Sequence, residues 1–266
     1  MKKKLLIGSL LIFILILIGI GMHWIFYSPT IAPKNSWYKA ETDFSNIAQI
    51  DIVRNYKITG NETESWNADI DDKGRIKCYI IDKKLIISLK SFGEILANEN
   101  SSKMFSEGKS LESINGINLL NTKNVTNMSE MFYNCGNLRN LDLSNFNTDK
   151  VIDMGIMFGG CIEIGELSLQ GFNTENVENM AAMFFRCGKL KSLDVSNFNT
   201  EKVKNMRNMF SVCEGLEELD ISSFDTKNVE NMRDMFRNSN KLRSVKIGEK
   251  FVYTEDSCLA EGIIIK

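Results

Sequence analysis

The chain of 266 residues has a single histidine, His23, and two prolines, Pro29 and Pro33. All three lie in or just after an apolar N-terminal stretch, so the rest of the chain has no imidazole. A Ser-His-Asp or Cys-His nucleophile pair cannot be assembled there, nor can a His-rich metal site. Lysine- or carboxylate-based chemistry stays formally open, but no paired motif supports it, and the expectation is a protein that is not an enzyme. A basic run is also missing. Beyond Lys2, Lys3 and Lys4 the charges of both signs are interspersed, and the formal net charge is −2. Nucleic acid calls for a concentrated basic face that displaces counterions, and this excludes it as a partner. The six cysteines contain no C-x-x-C pair, the usual mark of structural zinc. No cofactor is expected.

Leu5 to Tyr27 forms a run of 23 residues without a formal charge when His23 is neutral. A membrane core takes about 20 apolar helical residues, whereas a secretory apolar region usually runs about 7–15 and ends at a small-x-small site. Gly19-Ile20-Gly21 lies inside the run, and Thr30-Ile31-Ala32 is followed by Pro33. The pattern predicts an uncleaved signal-anchor through Leu5–Tyr27, with Lys2–Lys4 in the cytoplasm and the rest outside. Secretion after cleavage is the alternative.

The rest of the chain is organised by a 26-residue step. Met128, Met131 and Phe132 recur as Met154, Met157 and Phe158, then Met180, Met183 and Phe184. They return as Met206, Met209 and Phe210, and as Met232, Met235 and Phe236. Cys135, Cys161, Cys187 and Cys213 keep the same step, with Ser239 in the fifth place. Leu141, Leu167, Leu193, Leu219 and Val245 do likewise, and an irregular copy begins near Met104 and Phe105.

Within each copy, apolar alternation such as Leu141-x-Leu143 predicts a short strand with one face inward. The spacing of Val151, Met154, Met157, Phe158 and Cys161 predicts one stripe of a short helix. Thr148, Thr174, Thr200 and Thr226 stand where a hydroxyl would cap that helix. Asn121, Asn147, Asn173 and Asn199, with Asp225, are expected to form a ladder between turns. One such unit cannot bury its own stripe, but stacked copies can. The expected fold is therefore an α/β solenoid, a right-handed, leucine-rich-repeat-like stack of strand, turn and short helix.

The combined pattern N-M-x-x-M-F-x-x-C-x-x-L-x-x-L-D-x-S-x-F-x-T, seen from Asn179 to Thr200, resembles the BspA-like leucine-rich-repeat surface proteins of bacteria. The resemblance covers about residues 100–250. Trp66–Asp69, Ile76–Ile80 and Leu85–Leu89 also look like that family's N-terminal region and read as strands of a cap. The resemblance implies a cell-surface adhesin that binds an extracellular protein or glycan; the apolar run Leu5–Tyr27 would hold it in a bacterial cell membrane by a single pass. The expected organisation is a stub and anchor over 1–27, a linker over 28–36, a β-rich cap over 37–100, repeats over 101–250 and a C-terminal cap over 251–266. The second reading is a structural protein that organises the envelope through neighbouring surface proteins.

Three sets of residues invite a functional reading. The repeated cysteines and methionines sit at core spacing and are read as packing residues, while the state of Cys78 and Cys258 stays open. Between the inward leucines lie Asp142, Ser168, Asp194, Asp220 and Lys246, flanked by Asn140, Glu166, Ser192, Glu218 and Ser244. Stacked into rows, these form the candidate ligand face. Such rows could read a protein or glycan, and stacked Asp residues could coordinate calcium. Against this stands the plainer reading that Asp is only a solvated residue at that position.

Overall fold

A computed structural model describes residues 30–31, 43–69, 73–90, 93–258 and 264–265. The strands are β1 Gln49–Arg54, β2 Glu64–Asn67, β3 Ile76–Ile81, β4 Lys84–Leu89, β5 Ile95–Leu96 and β6 Ser113–Asn115. They continue as β7 Leu120–Asn121, β8 Asn140–Asp142, β9 Glu166–Ser168, β10 Glu218–Ile221, β11 Ser244–Ile247 and β12 Ile264–Ile265. Short 3-10 turns occupy Phe44–Asn46, Ile117–Leu119 and Glu255–Ser257.

The N-terminal part is a five-stranded mixed sheet in the order β2-β3-β4-β1-β6. Alternation in β1, β3 and β4 brings Ile50, Ile52, Cys78, Ile80, Leu85 and Ile87 to one face through the registers Ile50↔Leu85, Ile52↔Ile87, Cys78↔Ile87 and Ile80↔Leu85. These residues are buried in the same core as the repeats. The β3–β4 hairpin turns at Asp82, whose φ of 51° is one that a short polar side chain tolerates. At Gly116 (φ 71°) any Cβ would lie 2.0 Å from the Ile52 carbonyl, so only glycine lets the chain cross β1 there. Thr30 and Ile31, assigned by sequence to the linker over 28–36, are bridged to Leu96 and Asp69, and Ile31 is buried.

Beyond Asn98 the copies lie side by side, the first step 27 residues, from Phe105 to Phe132, and the later ones 26. Phe105, Phe132, Phe158, Phe184, Phe210 and Phe236 stack ring on ring, with centroids 5.5 to 5.9 Å apart. Neighbouring coils are therefore about as close as strands in a sheet, and an α-helix about 10–12 Å across does not fit that spacing. The segment expected to be helical instead forms a train of tight turns. In Met128–Asn134, the N–H groups of Met131 and Tyr133 bond three residues back, to Met128 and Glu130. Those of Met128, Glu130, Phe132 and Asn134 bond forward to Asp153, Gly155, Met157 and Gly159 of the next coil, at 2.8 to 2.9 Å. Every second amide joins coils, and those between them bond within their own coil, Ser129 to the Asn127 side chain.

Such a train needs left-handed residues at two places per coil. Glu130, Ile156, Ala182, Asn208 and Asp234 hold the first, with φ of 53° to 58°. Asn134, Gly160, Arg186, Val212 and Asn238 hold the second.

These observations overturn several expectations. The α/β solenoid with a short helix per repeat is not what forms: among the described residues there is no α-helix, and the strands lie in small mixed sheets. The single continuous strand stack is also absent, because β8–β9 and β10-β11-β12 form separate sheets and no strand covers residues 192–194. Thr148, Thr174 and Thr200 cap no helix. Each is buried, and its hydroxyl donates to the backbone carbonyl of Asn173, Asn199 or Asp225 on the next coil and accepts that residue's N–H, all at 2.7 to 2.8 Å. The expected Asn ladder forms only in part: the Asn121, Asn147, Asn173 and Asn199 side chains, with that of Asp225, accept the N–H two residues on within their own turn, and of these Asn121 and Asn173 also donate to Glu94 and Asp149 on the preceding coil. Finally, among the described residues no helix is long and apolar enough to cross a membrane. Single-pass anchoring in a bacterial membrane is therefore not supported, and Leu5–Tyr27, on which it rested, lies outside the described residues.

Candidate functional site

The structure brings most of the candidate face together in two groups. Asn140 and Asp142 pair with Glu166 and Ser168 across β8–β9. Glu218 and Asp220 pair with Ser244 and Lys246 across β10–β11. Ser192 and Asp194 lie between them, exposed but outside any strand. Ser244 is buried and Ser168 half-buried, so neither offers a fully open side chain, while the other eight are exposed.

Each aspartate is fixed by its own turn. The Asp142 carboxylate accepts the Ser144 N–H at 2.9 Å. Asp194 accepts both the N–H and the hydroxyl of Ser196, at 3.0 and 2.6 Å, and Asp220 accepts both from Ser222, at 2.9 and 2.6 Å. The Lys246 ammonium lies 2.8 Å from Asp220 and, with the Ser222 bonds, holds that carboxyl down at about 2. Bonds from Ser144 and from Ser196 likewise hold Asp142 and Asp194 below the usual carboxylate range. The three aspartates are thus ionised and pre-oriented, and Lys246 is the one basic residue among the ten candidates. The Asp-x-Ser spacing was legible in the sequence as part of the repeat pattern, but its turn-closing role was not drawn from it. Among the described residues, no group of three or more His, Cys, Asp or Glu is placed to hold a metal ion.

The repeated thiols are buried, and none of the six cysteines is in a disulfide. Cys135, Cys161, Cys187 and Cys213 each point their sulfur at the carbonyl of Phe105, Phe132, Phe158 or Phe184 on the preceding coil, at 3.1 to 3.3 Å. The Ser239 hydroxyl makes the same bond to Phe210 at 2.6 Å. Burial pushes Cys161 and Cys187 well above the ordinary thiol value and Cys213 up to about 12. These groups are protonated donors within the core, without the thiolate that reactivity needs.

Two features escaped sequence reasoning. One is a second polar column in which Asn100, Asn127, Asp153, Asn179, Asn205 and Asn231 bridge in sequence from coil to coil. Its signal was the Asn or Asp immediately preceding the Met at each step. The other is an open cleft of about 560 Å³ beside β1 and β4, lined among others by Asp51, Tyr56, Lys83 and Lys84. There burial pulls Asp51 upward, but hydrogen bonds from Gln49, Asn115 and Lys84 outweigh it and hold the carboxyl low. No periodic signal marks this cleft, because its residues come from unlike strands.

Geometry and columns together define a class: a β-rich repeat protein whose coils are joined through backbone amides, buried Thr hydroxyls and stacked Phe rings. The chain belongs to the family described as "Mycoplasma protein of unknown function, DUF285", which matches residues 99–192 and 163–252, together more than half of its length. Neither a curated protein nor a solved structure matches the chain.

Proposed function

We propose that the chain is a binding module of the BspA-like leucine-rich-repeat kind, and that it engages a protein or glycan through the acidic row. The observation that supports this is the arrangement of Asp142, Asp194 and Asp220: exposed, ionised, and each held by its own Ser-containing turn. Groups already fixed in place lose little freedom on binding, so they favour affinity more than flexible surface carboxylates do. Charge complementarity favours a partner that presents basic groups, with an association rate that falls as salt rises. The Ser196 and Ser222 hydroxyls are bonded to carboxylates held too low to serve as general bases, so binding is the chemistry the row favours.

The test uses the full chain against an immobilised panel of matrix proteins and glycans. The triple variant Asp142→Asn, Asp194→Asn, Asp220→Asn keeps an oxygen that can close each turn while removing the three charges. Binding weakened at least tenfold is the expected result, with the melting temperature lowered only slightly through loss of the exposed Lys246–Asp220 pair. A bound partner whose affinity does not respond to the triple variant would sink this reading.

A further inference from the structure

The column of Asn and Asp bridges ends at Asn231, and the way it ends leaves a seat. At every earlier step the coil offers two groups forward. The N–H of Met128, Met154, Met180 and Met206 donates to the carbonyl of Asp153, Asn179, Asn205 and Asn231. The carbonyl of Thr126, Ile152, Glu178 and Lys204 accepts the N–H of Ile152, Glu178, Lys204 and Glu230. The next rung would use the Met232 N–H and the Glu230 carbonyl, and among the described residues neither has a backbone partner.

The reason is a shortened final turn. The cap is pinned over Thr226, whose hydroxyl accepts the Val252 N–H at 2.8 Å, and over Asp234, whose N–H donates to the Asp256 carbonyl at 2.7 Å. The coil takes eight residues between those points and the cap takes four, so the cap cuts across and misses the edge at residues 229–232. What remains is a notch of about 260 Å³ lined by Thr226, Glu230, Asn231, Met232, Val252 and Thr254, with Asp256 at its side. Val252 and Tyr253, on the cap beside it, are exposed at 69% and 47%, which makes this end unusually apolar for a surface loop.

Unpaired backbone groups along an edge are a template for an added strand. The columns also specify its side chains. Glu178 pairs with Lys204 at 2.6 Å and Glu230 follows in the same column, so the alternation of sign continues with a basic residue. The bridge column asks for Asn or Asp next, and the exposed Val252 and Tyr253 favour an apolar residue after it. We propose that this notch docks an extended peptide of a partner protein carrying a basic residue, then Asn or Asp, then an apolar residue, as one more rung of the column. This site is separate from the acidic row and does not depend on it.

The probe is a labelled peptide with the chain's own sequence over residues 201–209, which contains Lys204-Asn205-Met206, titrated with the full chain and read by fluorescence anisotropy. Saturable binding is expected. It should weaken at least tenfold with Glu230→Lys in the protein or Lys204→Glu in the peptide, and recover when both changes are combined. Glu230 is exposed, so the variant should melt as the parent does. Three outcomes overturn the proposal: absence of binding, binding indifferent to Glu230→Lys, and self-association of the chain abolished by Glu230→Lys, which would assign the notch to a second copy.

Discussion

The five-stranded sheet and the repeats bury similar residues by different means. In the repeats the inward columns recur at a step of about 26 residues: Phe on Phe, Thr hydroxyl on the next backbone, Asn or Asp on Asn or Asp. In the sheet the partners are unlike and distant. Asp51 joins Asn115 at 2.8 Å across 64 residues, and the Arg54 guanidinium reaches the Gly93 carbonyl at 2.7 Å. Like-on-like stacking confines each contact to neighbouring coils, as in other repeat arrays. The sheet, in contrast, closes only when its dispersed strands arrive together.

That difference can be broken most forcefully at Phe158, which stacks between Phe132 and Phe184 at 5.7 Å on both sides. Phe158→Ala removes a fully buried ring and should cost about 3–5 kcal/mol. Amide exchange should accelerate around residues 128–184 and leave 76–89 protected, whereas Ile87→Ala should loosen the whole of 49–89. Equal acceleration of both regions in each variant would show one cooperative unit and end the distinction.

A smaller effect, of opposite sign, is expected at Val212. It is a β-branched residue held at φ 60° in a column otherwise filled by Asn134, Gly160, Arg186 and Asn238. The left-handed conformation costs such a residue about 1–2 kcal/mol. Val212→Asn should therefore add about 1 kcal/mol of stability, read as a higher urea midpoint at unchanged slope, and a lower midpoint would show that its packing outweighs the strain.

The smallest effect separates the regions by electrostatics. Glu62 in the N-terminal part is held at about 2 chiefly by the Thr59 N–H, and Asp220 in the repeats at about 2 chiefly by Lys246. Both folded values lie below the unfolded ones, about 4.3 and 3.9. Their stabilising contribution is therefore present above pH about 4 and lost as pH falls towards 2. Salt screens an exposed ion pair more than a bond to backbone. Carboxyl NMR titration in 1 M salt should move Asp220 upward and leave Glu62 nearly in place; equal movement would refute the assignment.

The columns were legible because repetition writes them into the chain: Phe132, Cys135 and Leu141 announce their partners by position alone. The candidate face was legible for the same reason, although Ser244 is buried and Ser192 and Asp194 stand outside the ladder. The helix was misread because the spacing of Val151, Met154, Met157, Phe158 and Cys161 suits one helical face and also suits alternate turns whose inward residues are the same. Periodicity reports which side chains go inward. It does not report which carbonyl an amide selects.

The sequence by itself determined the 26-residue period, most of the residues that turn inward in the repeats and the placement of the single histidine at position 23. Only the tertiary structure decided that amides bond alternately within and between coils. The reason is spacing: coils packed at the separation of their Phe rings place a neighbour's carbonyl within reach of every second N–H and leave no width for a helix.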